Sequence, residues 1–88
     1  MITKKEIVRA MGEHKSKLMG VDFDGGGFTI WLKEPFVFVV NEAGCLGWDY
    51  EQLEESGKEE VLDEINMGIT TEQELDAQYR LNMAQLNK

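Results

Sequence analysis

The first residues along the chain that could do chemistry are two aspartates followed by three glycines, Asp22-Phe23-Asp24-Gly25-Gly26-Gly27. Carboxylates at alternate positions ahead of a glycine suit Ca²⁺, which takes oxygen ligands from a tight loop. The run lacks the remaining ligands, and Lys33 stands where a calcium loop would place its closing bidentate glutamate. It is no phosphate loop either. The Gly-Lys-Ser/Thr ending is missing, and the run joins two alternating stretches where a phosphate loop leads from a strand into a helix. A hairpin turn accounts for it.

His14 is the single histidine, and no carboxylate or nucleophile is spaced to make it a catalytic base. Cys45 is the single cysteine, so it builds no redox pair, no cysteine-based zinc site and no intramolecular disulfide. With 17 Asp and Glu residues in 88, two carboxylates at general acid–base distance would carry no information. The expectation is no enzyme, no metal and no cofactor, and the functional reading has to rest on charge.

The net charge is −8, from nine Lys and Arg against seventeen Asp and Glu, and the two signs are segregated. Residues 1–20 hold five basic side chains (Lys4, Lys5, Arg9, Lys15, Lys17) against Glu6 and Glu13, a net +3. Residues 49–76 hold eleven carboxylates against Lys58 alone, a net −10. On a helix over 57–67, Glu59, Glu60, Asp63 and Glu64 fall opposite Val61, Leu62 and Ile65. Like charges at i,i+4, as in Glu59–Asp63 and Glu60–Glu64, cost ~0.2–0.5 kcal/mol each, so helix stability does not favour the arrangement.

Such a face keeps a protein soluble, and it also steers encounter with positive surfaces while repelling nucleic acid. The expectation drawn from it is a non-enzymatic interaction domain that docks on a basic protein partner. Its contact residues would be Asp49, Glu51, Glu55, Glu59, Glu60, Asp63 and Glu64, with Trp31 as an aromatic anchor. The most concrete form is a small acidic inhibitor that substitutes for a phosphate backbone in a partner's nucleic-acid groove. Inhibitors carried by phages and mobile elements do this as a class, a comparison by size and charge alone. The alternative is a small structural or accessory subunit of a larger assembly or homo-oligomer, its basic first helix meeting the acidic helix between protomers. A strip of Ala77, Leu81 and Ala84 suits either intramolecular packing or a homodimer contact. Direct nucleic-acid binding is not expected, since five basic residues face an opposing net charge.

No membrane segment is expected. The longest apolar run, Phe36–Val40, is five residues, against the ~20 a spanning helix needs. Charges occupy the first residues where a secretory signal would be apolar. With a lone cysteine in so small a domain, a reducing, cytoplasmic compartment is expected.

These residues are positioned by elements that the sequence spacing predicts within one domain. Thr3 and Glu6 form a capping-box pattern, and Ile7, Ala10, Met11, His14 and Leu18 share a helical face, predicting a helix over 4–18 ended by Gly20. The period then switches from 3.6 to 2. Val21 and Phe23, then Phe28, Ile30 and Leu32, alternate around the glycines as a hairpin, with Trp31 on the opposite face. Lys33-Glu34-Pro35 turns the chain, and Phe36–Val40, apolar throughout, reads as the middle strand of the sheet. Asn41–Gly44 turns again, and Cys45–Trp48 adds a short fourth strand. Ser56 with Glu59 predicts the cap of the second helix, leaving Tyr50–Glu55 as turn or loop. Thr71 with Glu74 caps a last helix over 72–86 that carries Leu75, Tyr79, Met83 and Leu86 on one face. The predicted class is α+β: an antiparallel meander of three to four strands, with an N-terminal helix and two C-terminal helices packed on one face.

Overall fold

A computed structural model describes residues 2–86. The Thr3 hydroxyl accepts from the Glu6 backbone N–H, and the Glu6 carboxylate accepts from that of Thr3, so a complete capping box starts α1 (Lys4–Met11). The helix stops well before residue 18. Gly12 takes a positive φ of 55°, open to glycine at little cost, and the chain tightens into a 3₁₀ segment, Gly12–Lys17. Leu18 therefore already belongs to a strand.

Strands β1 (Leu18–Phe23), β2 (Gly27–Leu32), β3 (Phe36–Phe38) and β4 (Cys45–Asp49) follow. Three of them form an antiparallel sheet in the order β1-β2-β4. The glycine-rich run is the β1–β2 turn. Asp24 Oδ1 accepts from the N–H groups of Gly26 (2.7 Å) and Gly27 (2.8 Å), and Asp24 N–H donates to the Gly27 carbonyl. The Asp24 carboxylate closes its own turn.

Phe36–Val40 does not form the middle of this sheet. Cys45–Asp49 takes the place beside β2, in a register from Gly27 opposite Asp49 to Trp31 opposite Cys45. β3 instead pairs antiparallel with a later strand, β5 (Ile69–Thr71), making a separate two-stranded sheet. Its last apolar residues run past the strand: Val39 is 48% and Val40 77% exposed.

Tyr50–Ser56 is a helix, α2, not a loop. Asp49 caps it, its carboxylate accepting from Gln52 N–H at 2.7 Å while the Gln52 side chain accepts from Asp49 N–H. Ser56 is thus the last residue of α2 and caps nothing. The break falls at Gly57, whose φ of 86° separates α2 from α3 (Lys58–Met67), and α3 begins without a side-chain cap.

α4 (Glu72–Leu86) starts where the Thr71 hydroxyl accepts from Glu74 N–H. The Glu74 carboxylate accepts from Thr70 rather than closing the box.

The core joins Ile7 and Met11 of α1, the inward row Phe28, Ile30 and Leu32 of β2, Phe38, Trp48, Leu53 of α2, and Val61 and Ile65 of α3. Phe28 stacks on Trp48 at 5.4 Å, and Phe38 meets the same indole edge-on at 5.9 Å. Burying each such side chain is worth ~1.5–3 kcal/mol. The fold is α+β as expected, with α4 differing in how it is held. Tyr79, Leu81 and Met83 remain 65%, 60% and 44% exposed. The extents are 48 × 27 × 20 Å and the radius of gyration is 14.6 Å, against about 12 Å for a compact chain of this length.

Candidate functional site

The orientation of α3 decides what the acidic residues can do, and α1 sets it. Asn66 Nδ2 donates to the Ala10 carbonyl at 2.7 Å, and Lys58 forms an ion pair with Glu6. Both contacts tie α3 to α1, with Val61 and Ile65 turned into the core. The basic first helix and the acidic helix therefore meet within one chain, and through a lysine on the acidic helix and a glutamate on the basic one. The Lys58 ammonium is the foremost cause holding the Glu6 carboxyl below its ordinary value of 4.5.

With that orientation, Glu60, Asp63 and Glu64 border a groove of about 680 Å³ that is also lined by the end of β3, the middle of β4 and Gln52 of α2. Buried Phe38 and Trp48 form its base, and Val39, Val40 and Leu46 supply an apolar side. Met67, 84% exposed, stands at the same groove one turn beyond Asp63. Among the described residues no basic side chain lies within ion-pair distance of Glu59, Glu60, Asp63 or Glu64, and Lys58 is held by Glu6. The arrangement is an apolar trough with an acidic rim that no described basic side chain pairs with.

The other sequence-derived site residues fall outside the trough. Glu59 is exposed on α3 but does not line it, and Glu51 and Glu55 are exposed on α2. Asp49 is engaged as the α2 cap. Trp31 lies on the sheet face opposite Phe28, Ile30 and Leu32, 41% exposed, its Nε1 donating to Asp22 Oδ2 at 2.9 Å. A half-buried His14 sits with Nδ1 2.8 Å from Lys17 Nζ, and that ammonium lies 4.7 Å from the Phe36 ring centroid. Cys45 is half-buried on β4. No group of three His, Cys, Asp or Glu side chains among the described residues is placed to hold a metal ion. No described helix is long and apolar enough to cross a membrane.

The residues that sequence reasoning passed over are Val39, Val40, Leu46 and Met67. No sequence signal marked them: the flanking turns leave room for all five residues of Phe36–Val40, and it is the structure that ends the strand at Phe38. No family model, curated protein or solved structure matches the chain.

Proposed function

We propose that the protein is a non-enzymatic interaction domain that docks on a basic protein partner through the α3 side of the groove. The observation that carries this reading is the row Glu60, Asp63 and Glu64, without ion-pair partners among the described residues, beside exposed Val39, Val40 and Met67. Unpaired like charges cost helix stability and exposed aliphatics cost solubility, so neither is explained by the needs of the fold. Together they match the make-up of a docking surface, an apolar centre with charge at its edge. A small acidic inhibitor occupying a partner's nucleic-acid groove is the most specific form of the reading, in a cytoplasmic setting that keeps Cys45 reduced.

The test is a titration of wild type and the variant E59Q/E60Q/D63Q/E64Q against a partner obtained by affinity capture, at two ionic strengths. The variant should keep its fold, associate more slowly and lose most of its salt sensitivity, because long-range steering follows the summed charge. Equal affinity and equal salt slope would reduce the acidic face to a solubility surface.

A second reading, an accessory subunit or homodimer, draws support from α4, where Ala77, Leu81 and Ala84 are all exposed. Contact through that strip would be apolar and nearly indifferent to salt, which separates the two readings in the same titration.

A further inference from the structure

We infer that the groove receives one amphipathic helix of the partner, with apolar side chains seated against Val39, Val40 and Met67 and a row of Lys or Arg along Glu60, Asp63 and Glu64. The inference rests on the docking reading and narrows it to a ligand class. The two sides of the trough set opposite demands. Val39, Val40 and Leu46 bring no charge to one side, whereas three carboxylates border the other. An evenly basic tract would satisfy the carboxylates and leave the aliphatic side wet. A purely apolar segment would cover the aliphatic side and desolvate carboxylates with no counter-charge, which is strongly unfavourable. Phosphate-bearing strands are repelled outright. What remains is a segment with one apolar and one basic face.

The spacing selects its conformation. Glu60 and Glu64 are one helical turn apart on α3, about 6 Å along the axis, and Asp63 and Met67 repeat that step. Basic residues at i and i+4 of a helix lying beside α3 meet that repeat carboxylate by carboxylate. Apolar residues on the adjoining stripe then face the trough, the helix-in-groove mode of recognition. A second copy of this chain is a poor occupant. Its largely exposed helix, α4, carries Glu72, Glu74 and Asp76 against Arg80 among its described residues, and Arg80 is already paired with Asp76.

The experiment uses the full chain and a labelled synthetic 18-residue peptide with Leu at i, i+3, i+4, i+7 spacing and Lys elsewhere. The control is a peptide of the same composition, scrambled so that no helical face forms. The protein variants are V40S/M67S, at positions 77% and 84% exposed where the fold is not at risk, and E60Q/E64Q. Affinities are measured at low and high salt, with far-ultraviolet circular dichroism and size-exclusion chromatography on each protein. The patterned peptide should bind wild type at least tenfold more tightly than the scrambled one. V40S/M67S should erase that preference while keeping the salt dependence, and E60Q/E64Q should weaken both peptides and flatten the salt dependence.

Equal binding of the two peptides to wild type would overturn the inference and leave a charge-only docking surface, so the broader reading would survive. Binding of neither peptide, with no effect of E60Q/E64Q, would sink both. A concentration-dependent dimer that V40S/M67S converts to monomer would show that a second copy fills the groove and would overturn the inference in favour of self-association.

Discussion

Lys58 stands among carboxylates yet serves the junction of α1 and α3. Because its ammonium lowers the Glu6 carboxyl below the usual value, the ionised form is favoured in the folded state. The stabilisation that follows is present above the ordinary carboxylate range and is lost as pH falls through the folded Glu6 pKa. Replacing Lys58 with Met should move the Glu6 titration up towards its ordinary value, followed by side-chain carboxyl NMR. The stability difference between the two proteins should be present at neutral pH and vanish in acid; an unmoved Glu6 titration would refute the pairing. Gly27 is constrained differently. A Cβ there would lie 2.1 Å from the Trp48 carbonyl oxygen and 2.8 Å from Asp49 Cα, both backbone atoms that cannot yield, whereas at Gly25 it meets nothing within 4 Å. Gly27→Ala should cost ~1–3 kcal/mol in a denaturant melt, and Gly25→Ala should stay within about 0.5 kcal/mol of wild type. The hairpin turn was legible from the residues alone, since Asp24 and its glycines satisfy a turn locally. The close approach at Gly27 was not, because it depends on which strand lies beside β2.

At the scale of elements, sequence reading took Ser56 with Glu59 as the cap of a helix and passed over Asp49 with Gln52, which has the same spacing. Gly57 decides the matter. At φ 86° it turns the chain so that Ser56 finishes α2, and α3 starts with no side-chain acceptor at its head. Asp49→Ala should therefore cost ~0.5–2 kcal/mol in a thermal melt, while Ser56→Ala should be close to neutral; the reverse ranking would place the helix boundary back at Ser56. The position of the break was legible because glycine punctuates strongly. The helix before it was not, because Leu53 alone marks its buried side. Phe36–Val40 failed for a related reason. A run of apolar residues records that it can be covered, and not which strand pairs with it or how far the pairing runs. Helical spacing grouped Glu59, Glu60, Asp63 and Glu64; all four are exposed on α3, and three of them border the groove. Asp49, expected as a contact residue, caps α2, a role that its spacing to Gln52 carried in the sequence.

Across the whole molecule, the alternation of periods was enough to place helix, sheet and helices in order, and the last helix matches its expected limits of 72–86. Which of its faces packs was not readable, since Leu75, Tyr79 and Met83 fall at a helical spacing whether or not a partner surface exists. The body from which α4 projects is closed by the short pairing of β3 with β5. That pairing joins Phe38 to Ile69 across the third strand of the main sheet, α2 and α3. Val39 N–H donates to the Gly68 carbonyl, and Glu72 N–H to that of Pro35, on either side of it. The β1–β2 hairpin closes over a few residues, whereas this clasp must bring together distant parts of the chain before any contact rewards it. It should form after the transition state for folding and be among the first pairings to open. Ile69→Ala should then steepen the loss of native molecules by raising the unfolding rate, with the refolding rate nearly unchanged in a stopped-flow chevron. A matching fall in the refolding rate would put the clasp in the nucleus instead. Val39 and Gly68 both border the trough, so the same clasp sets the trough's lifetime, and a bound helix that spans it would act as a kinetic lock on the native state.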